Sequence, residues 1–223
     1  MLNIIKIQSK LLAKEKLTDE TYELRYEVPQ DFSFVPGQFV GLQVPPYPLK
    51  SYSIVDAKNG EVTLLIDIFT KSNYFVNTQV GDTLTLSGAY GVFKVKDTDL
   101  PKVFICTGTG VAPFIPMVKK LLAEKPDQKV KFFFGCRYLK DDYTSKYFGE
   151  TLYNPNLEFT RCVTRPEDPT QKFEQGRVTE IVPKHNIDWK NSEFYICGSP
   201  QMVTDMKQIL LNLGADKIYV EKF

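Results

Sequence analysis

One histidine is all this chain has. It is His185, in the polar run Pro183-Lys184-His185-Asn186, so a histidine-based catalytic triad and a multi-histidine metal centre are both excluded. Cysteine is nearly as sparse. Cys106, Cys136, Cys162 and Cys197 all fall in the second half, and none is close to another in sequence. That spacing excludes a plant-type iron–sulfur cluster and argues against zinc. Each lies in or at the end of an apolar run, which predicts four buried free thiols. A charge excess is missing too. The 28 basic and 27 acidic side chains leave a net +1, with no basic surplus to attract nucleic acid. No apolar run approaches a membrane span, and the opening Met1-Leu2-Asn3-Ile4-Ile5-Lys6 lacks the apolar core of a secretory signal. The expectation is a cytoplasmic chain with no metal, no nucleic acid and no membrane contact. Whatever chemistry it performs is expected to belong to an organic cofactor.

What is present divides in two. The 223 residues suit two domains of about 100 residues each. Short strand-like runs separated by turn residues fill the first half, near 4–14, 21–28, 38–44, 52–55, 62–68 and 83–87, with one short helix at 72–77. That spacing predicts a small antiparallel β-barrel. From residue 103 strands and helices alternate. Strands are expected at 103–106, 130–134, 157–163, 194–197 and 217–222, and helices at 111–123, 144–152, 178–182 and 201–213. This is the rhythm of a parallel sheet covered by helices, whose ligands bind beyond the carboxyl ends of the strands. The polar stretch Lys96-Asp97-Thr98-Asp99-Leu100-Pro101 separates the halves, giving domains 1–98 and 99–223.

Two segments carry candidate chemistry. In the second half, a buried strand ending at Cys106 runs into Thr107-Gly108-Thr109-Gly110, with Pro113 suited to the first turn of a helix. Glycines let the backbone approach a diphosphate, and a following helix favours the anion. The spacing is not the full dinucleotide fingerprint, since Pro113 stands at the third glycine, and an ordinary strand–helix turn would look the same. In the first half, Lys50-Ser51-Tyr52-Ser53 follows the proline-rich turn Val44-Pro45-Pro46-Tyr47-Pro48. A cation, a ring and hydroxyls alternating with period two suit a flavin, which needs a phosphate partner, an aromatic wall and a polar group near its N5. They suit an amphipathic strand equally well.

Taken together, the motifs resemble the ferredoxin–NADP reductase family. Lys50-Ser51-Tyr52-Ser53 is similar to its R-x-Y-S flavin motif, and Pro36-Gly37-Gln38-Phe39-Val40 to the segment before it. Gly81-Asp82 and Gly88-Ala89-Tyr90-Gly91-Val92-Phe93 resemble the segments closing its barrel. In the second half, Gly108-Thr109-Gly110-Val111-Ala112-Pro113-Phe114 and Cys197-Gly198-Ser199-Pro200-Gln201-Met202 match its G-T-G-x-A-P-F and C-G-S-P-x-M. Val163-Thr164-Arg165 with Gly176-Arg177-Val178-Thr179 resembles the V-T-R and G-R-x-T pair of its bacterial branch, and Tyr219-Val220-Glu221-Lys222-Phe223 its terminus.

The resemblance implies an NAD(P)H-dependent flavoprotein reductase: an FAD-binding antiparallel barrel followed by an α/β nucleotide-binding domain. Hydride would pass from NADPH, or NADH, to FAD, and electrons onward to a separate carrier such as ferredoxin or flavodoxin. Alternatives are the reductase component of an oxygenase, a flavin, quinone or ferric reductase, or a flavin-binding subunit with little turnover of its own. On the flavin the resemblance places Lys50, Ser51, Tyr52 and Ser53, the backbone of Leu65, Ile66 and Asp67, Lys71 and Ser72 at a phosphate-facing helix, and Phe223 against the ring. Ser72 also reads as an N-cap, and the family glycine before it is missing. Lys50 stands where the family has arginine and offers a point charge rather than a fork, which leaves FMN as a lesser alternative to FAD. On the nucleotide it places Thr107, Gly108, Thr109, Gly110, Pro113, Arg137, Cys197, Gly198, Ser199 and Met202. Ser53, Cys197 and Glu221 would serve the reacting atoms, Cys197 by shaping geometry and Glu221 as a proton relay. Thr164, Arg165 and Arg177 favour the 2′-phosphate of NADPH over NADH, although Pro166 replaces a family glutamate. A monomer is expected.

Overall fold

A computed structural model describes residues 5–67, 77–167 and 172–222. Two compact units form, residues 1–94 with 112–117 and residues 95–111 with 118–223. Among the described residues no helix is long and apolar enough to cross a membrane.

The first unit is a closed antiparallel barrel with strand order β1-β2-β5-β4-β3-β6. Its strands are β1 (Ile5–Lys16), β2 (Thr21–Glu27), β3 (Phe39–Gln43), β4 (Lys50–Lys58), β5 (Glu61–Asp67) and β6 (Thr83–Tyr90). Alternation sends one side chain in two to the interior. Leu24 and Tyr26 from β2, Val40 and Leu42 from β3, Val62 and Leu64 from β5, and Leu84 and Leu86 from β6 meet there with Leu11 and Ile54. Closure pairs β1 with β6, Ile5 opposite Gly88 through Lys10 opposite Thr83. The short helix expected at 72–77 lies, apart from Asn77, outside the described residues, as do Lys71, Ser72 and Phe223.

The second unit is a parallel sheet in the order β10-β9-β8-β7-β11-β12. Its strands are β7 (Lys102–Thr107), β8 (Val130–Cys136), β9 (Leu157–Val163), β10 (Glu174–Gln175), β11 (Glu193–Gly198) and β12 (Ile218–Lys222). The helices, in chain order, are α1 (Phe114–Glu124), of which the part from Val118 belongs to this unit, α2 (Thr144–Phe148), α3 (Val178–Ile181) and α4 (Pro200–Asn212). β7 and β11 are buried almost throughout, as strands covered on both faces must be. On one face Val103, Ile105, Phe133, Phe194 and Ile196 pack with Val178 and Ile181 of α3 and Val203, Met206 and Leu210 of α4. The other face carries a rank of rings at one register, Tyr219, Tyr195, Phe104, Phe132 and Phe159, stacked at centroid spacings of 5.0, 5.1, 6.0 and 5.0 Å. Phe148 of α2 meets this rank edge-on, 5.2 Å from Phe132.

The expected architecture, a barrel followed by a parallel α/β sheet, is the one observed. Several local expectations need correction. The first helix begins at Phe114, not 111, because a 3-10 turn (Gly108–Val111) comes first and Pro113 stands just outside the helix rather than in its first turn. The helix expected at 144–152 breaks at Gly149 (φ +50°), and 149–153 continues as a 3-10 turn. β10 was not expected; two residues carry no readable period. His185 is not simply a polar loop residue. Its ring is edge-on to Phe133 at 4.8 Å, with Nε2 2.8 Å from Glu174. Cys136 is half-buried rather than buried.

Candidate functional site

In the barrel, β4 changes partner midway. Its first half pairs with β3, Lys50 opposite Leu42 through Ser53 opposite Phe39. Its second half pairs with β5, Ile54 opposite Leu64 through Lys58 opposite Glu61, with a register shift between Ile54 and Asp56. Leu65, Ile66 and Asp67 instead continue against Glu23, Tyr22 and Thr21 of β2. Beyond Ile54 the two strands therefore part. Ser51, Tyr52 and Ser53 on one side and Leu65, Ile66 and Asp67 on the other flank a fork whose facing backbone edges lie outside the β4–β5 ladder. Tyr52 packs against the barrel core, Ser53 is half-buried and Ser51 is exposed. Lys50, half-buried at the start of the strand, makes no ion pair among the described residues. The donor set fits a flat, polar-edged ring system with a phosphate tail: backbone groups and a hydroxyl for the ring edge, a phenol wall, and a cation.

In the second unit, the carboxyl ends of the strands gather the remaining candidates. The glycine turn after β7 sits directly on the end of β11. A Cβ added to Gly110 would lie 2.4 Å from the Cys197 carbonyl oxygen and 3.0 Å from Gly198 Cα, so only glycine permits this approach. A Cβ at Gly198 would lie 2.7 Å from Thr107 Oγ1 and 2.5 Å from Met202 Cε. Gly108, at φ +53°, has open space on the side a Cβ would fill. Thr107–Gly110 and Cys197–Met202 thus form one surface, with an open glycine backbone suited to a diphosphate. Ser199 caps α4, its hydroxyl accepting from the Met202 N–H at 3.4 Å, and Pro200 takes the first helical position. Glu221 is the register partner of Cys197 on β12.

Further along the same edge, β8, β9 and β10 end side by side. The Thr164 N–H donates to the Cys136 carbonyl at 3.2 Å, the Arg165 N–H to the Arg137 carbonyl at 2.8 Å, and the Gly176 N–H to the Val163 carbonyl at 3.0 Å. Arg137, Thr164, Arg165 and Arg177 therefore leave neighbouring strands at one sheet end. Arg177 precedes α3, and its N–H donates to the Glu180 carboxylate at 3.0 Å.

Sequence reasoning missed a group beneath this arginine-bearing edge. Asp142, whose side chain is only 5% exposed, accepts from Arg161 Nε at 2.5 Å and from the Thr144 N–H at 2.8 Å. Nothing in the local sequence marks the pair, since Asp142 reads as one of two adjacent surface aspartates and Arg161 as an outward strand residue.

Burial governs the cysteines. It pushes the Cys197 thiol well up, with the Glu221 carboxylate adding to the effect. Cys106 is likewise pushed well up by burial, with smaller contributions from neighbouring groups, and Cys162 is raised mainly by burial. Cys136 is pushed up to about 12, mainly by burial and then by Asp142 and Asp141. A raised pKa keeps a thiol protonated at pH 8, and the protonated form is not the nucleophile. Ellman's reagent at pH 8 is accordingly expected to leave the native protein nearly unlabelled over minutes and to titrate all four thiols after denaturation. Fast native labelling of Cys197 would make it a reactive thiol instead.

Residues 8–95 match the Oxidoreductase FAD-binding domain family, and residues 104–208 the Oxidoreductase NAD-binding domain family. The chain belongs to the ferredoxin–NADP reductase family. Its two units are the FAD-binding and NAD-binding domains of that family, the barrel and the parallel sheet respectively. The reductase component of propane 2-monooxygenase from Rhodococcus jostii is 28% identical over 97% of this chain and 63% of its own length. The electron transfer component of toluate 1,2-dioxygenase from Pseudomonas putida is 28% identical over 86% of this chain and 59% of its own. The chain thus spans about three-fifths of the length of these curated relatives. Among solved structures, a cytochrome P450 reductase from Amycolatopsis superposes with a TM-score of 0.89 at 22% identity, over 100% of this chain and 71% of the other. A ferredoxin–NADP reductase from Neisseria gonorrhoeae with bound FAD and NADP gives 0.81 at 22% identity, over 97% and 98%. At that identity the likeness concerns the fold shared across the ferredoxin–NADP reductase family.

Proposed function

We propose that this chain is an NAD(P)H-dependent flavoprotein reductase, with residues 1–98 holding FAD, residues 99–223 holding the nucleotide, and a separate protein taking the electrons. The observation that carries the reading is the β4–β5 fork. It opens at the residues whose types suit a flavin, in a chain whose barrel matches an FAD-binding domain family. When bound, the flavin supplies the exchange between two-electron hydride chemistry and one-electron delivery.

The protein's own part is binding and orientation. Tyr52 forms the aromatic wall, Ser53 offers a hydroxyl at the reacting edge, and the backbone of Leu65, Ile66 and Asp67 meets the polar rim. Lys50 answers the flavin phosphates as a point charge, a role that arginine would fill with two parallel bonds. Lys71, Ser72 and Phe223 complete this set on the strength of the resemblance. In the other domain, Thr107, Gly108, Thr109 and Gly110 cradle the nucleotide diphosphate ahead of Pro113, while Cys197, Gly198, Ser199 and Met202 bound the nicotinamide pocket. The Cys197 thiol, kept protonated by burial, shapes that pocket without acting as a nucleophile. Glu221, beside it on β12, is the proposed proton relay. Arg137, Thr164, Arg165 and Arg177 make NADPH the preferred nucleotide, since a 2′-phosphate dianion rewards charge-assisted contacts.

The electron acceptor is either a ferredoxin- or flavodoxin-type carrier or an oxygenase component. The second is favoured by the oxygenase-associated relatives. The same reading makes the chain a cytoplasmic monomer.

The purified protein is expected to be yellow and to bleach anaerobically with NADPH and more slowly with NADH. A colourless protein, or a flavin that neither nucleotide bleaches, would remove the proposal. Arg165→Ala is expected to raise KM for NADPH by roughly tenfold or more, the loss of one charge-assisted contact, while leaving KM for NADH nearly unchanged. Equal effects on both nucleotides would remove the 2′-phosphate assignment.

A further inference from the structure

We infer that Asp142 is a positioning residue that sets the preference for the 2′-phosphorylated nucleotide, by clamping the strand exits that carry Arg137 and Arg165. This rests on the nucleotide assignment above and extends it to a residue outside the contact set.

The geometry divides the carboxylate in two. Oδ2 accepts from Arg161 Nε on β9 at 2.5 Å. Oδ1 accepts from both the N–H and the hydroxyl of Thr144, at 2.8 and 2.5 Å, at the start of α2. Thr144 is fully buried, so its end of the clamp is fixed. Between Arg137 and Asp142 the chain is a tight 3-10 turn. The Asp141 N–H donates to the Tyr138 carbonyl at 3.0 Å, the Asp142 N–H to the Leu139 carbonyl at 3.0 Å, and the Tyr138 N–H to Asp141 Oδ2 at 3.2 Å. Such a turn has little slack, so holding Asp142 holds Arg137. The Arg137 carbonyl in turn accepts from the Arg165 N–H, which ties the second arginine to the first. Arg161 is itself held on β9, opposite Phe134, with its guanidinium 5.1 Å from the centroid of Phe159. Asp142 thus connects β9, α2 and the exit of β8 through one group whose charge Arg161 balances. A carboxylate accepts at both oxygens, which these three donors require. An amide keeps one acceptor and turns an NH2 toward a guanidinium, donor against donor.

The reading is the ratio of kcat/KM for NADPH to that for NADH in the full-length, flavin-loaded protein. Asp142→Asn is expected to lower the ratio about fivefold to tenfold, the scale of one misplaced charge-assisted contact. Arg161→Gln, which breaks the clamp from the other side, is expected to do the same, and keeps the test open should the first variant fold poorly. Lys131→Met removes a different β8–β9 ion pair, to Glu158, away from the carboxyl end, and is expected to leave the ratio unchanged. Because Asp142 acts through both arginines, adding Asp142→Asn to an Arg137→Ala/Arg165→Ala background should lower the ratio little further. An unchanged ratio in both clamp variants, with a fall in Arg165→Ala, sinks this inference and leaves the nucleotide assignment standing. So does a full further fall from Asp142→Asn in the background lacking both arginines, or an equal fall in Lys131→Met. An unchanged ratio in Arg165→Ala sinks both.

Discussion

Gly110→Ala is expected to abolish most NAD(P)H-dependent flavin reduction while the protein still binds its flavin. The added Cβ would sit 2.4 Å from the Cys197 carbonyl oxygen, 2.8 Å from its carbon and 3.0 Å from Gly198 Cα. These are backbone atoms of β11, a strand buried along its length between β7 and β12. No flexible side-chain end is there to swing aside, so the glycine turn itself must lift. The turn and the Cys197–Met202 segment form one binding surface, and a displacement near 1 Å in such a surface can cost about 100-fold in rate. Stopped-flow reduction should show kcat/KM for both nucleotides falling by roughly that factor, about 2.7 kcal/mol in barrier. The flavin absorbance of the purified variant should match the wild type. Gly108→Ala is the informative contrast, since no atom lies within 4 Å of its Cβ position. Its cost should come from the positive φ alone, about 1 kcal/mol in stability, unless a bound diphosphate needs that space. A Gly110→Ala variant with ordinary reduction kinetics would show that the contact with β11 does not matter to nucleotide binding.

Removing either partner of the Lys102–Glu193 pair should destabilise the nucleotide-binding unit by about 3–5 kcal/mol. Both side chains are almost wholly buried, 0% and 3% exposed, with Nζ 2.8 Å from the carboxylate. The lysine also donates to the Thr98 carbonyl and hydroxyl at 2.9 and 2.6 Å. The carboxylate accepts from the Thr98 hydroxyl at 3.0 Å and from the Tyr195 hydroxyl at 2.8 Å, and the Lys96 N–H donates to that same phenol oxygen at 2.9 Å. Residues 96–98, in the stretch between the two sequence halves, are thereby fastened to β7 and β11. Burial pushes the Tyr195 phenol up, and its neighbour Glu193 adds to the effect, so the phenol stays a donor through the working pH range. Lys102→Met leaves a buried carboxylate and Glu193→Gln a buried ammonium. Each uncompensated charge carries the desolvation cost. The double variant Lys102→Met/Glu193→Gln removes both charges while the glutamine carbonyl can still accept from Tyr195, so much of the loss should return. Urea unfolding followed by a probe in the second unit measures this. Single variants that lose less than about 1 kcal/mol would mean that water reaches the pair.

Much of the protein is written in contiguous residues. Period-two runs in the first half and alternating strand and helix patterns in the second determine the barrel and the parallel sheet, because burial of one face or both is a local property of a strand. The glycine turn at 107–110, the Cys197–Met202 segment and Lys50 to Ser53 are legible for the same reason: each is one stretch of chain with its own backbone requirement. What the tertiary structure alone decided is who meets whom. The fork needs β4 to exchange β3 for β5, strands separated from each other by β4 itself, and a shift of register at Ile54. The seating of Gly110 on Cys197 needs β11 to lie beside β7 across the intervening strands and helices. Lys102 and Glu193 are 91 residues apart and look like ordinary solvated charges until the parallel register puts them opposite each other. Asp142 and Arg161 are the same case over 19 residues. Periodicity reports which side chains turn inward; it carries no record of the partner, because the register of two distant strands is set by the packing of the whole sheet.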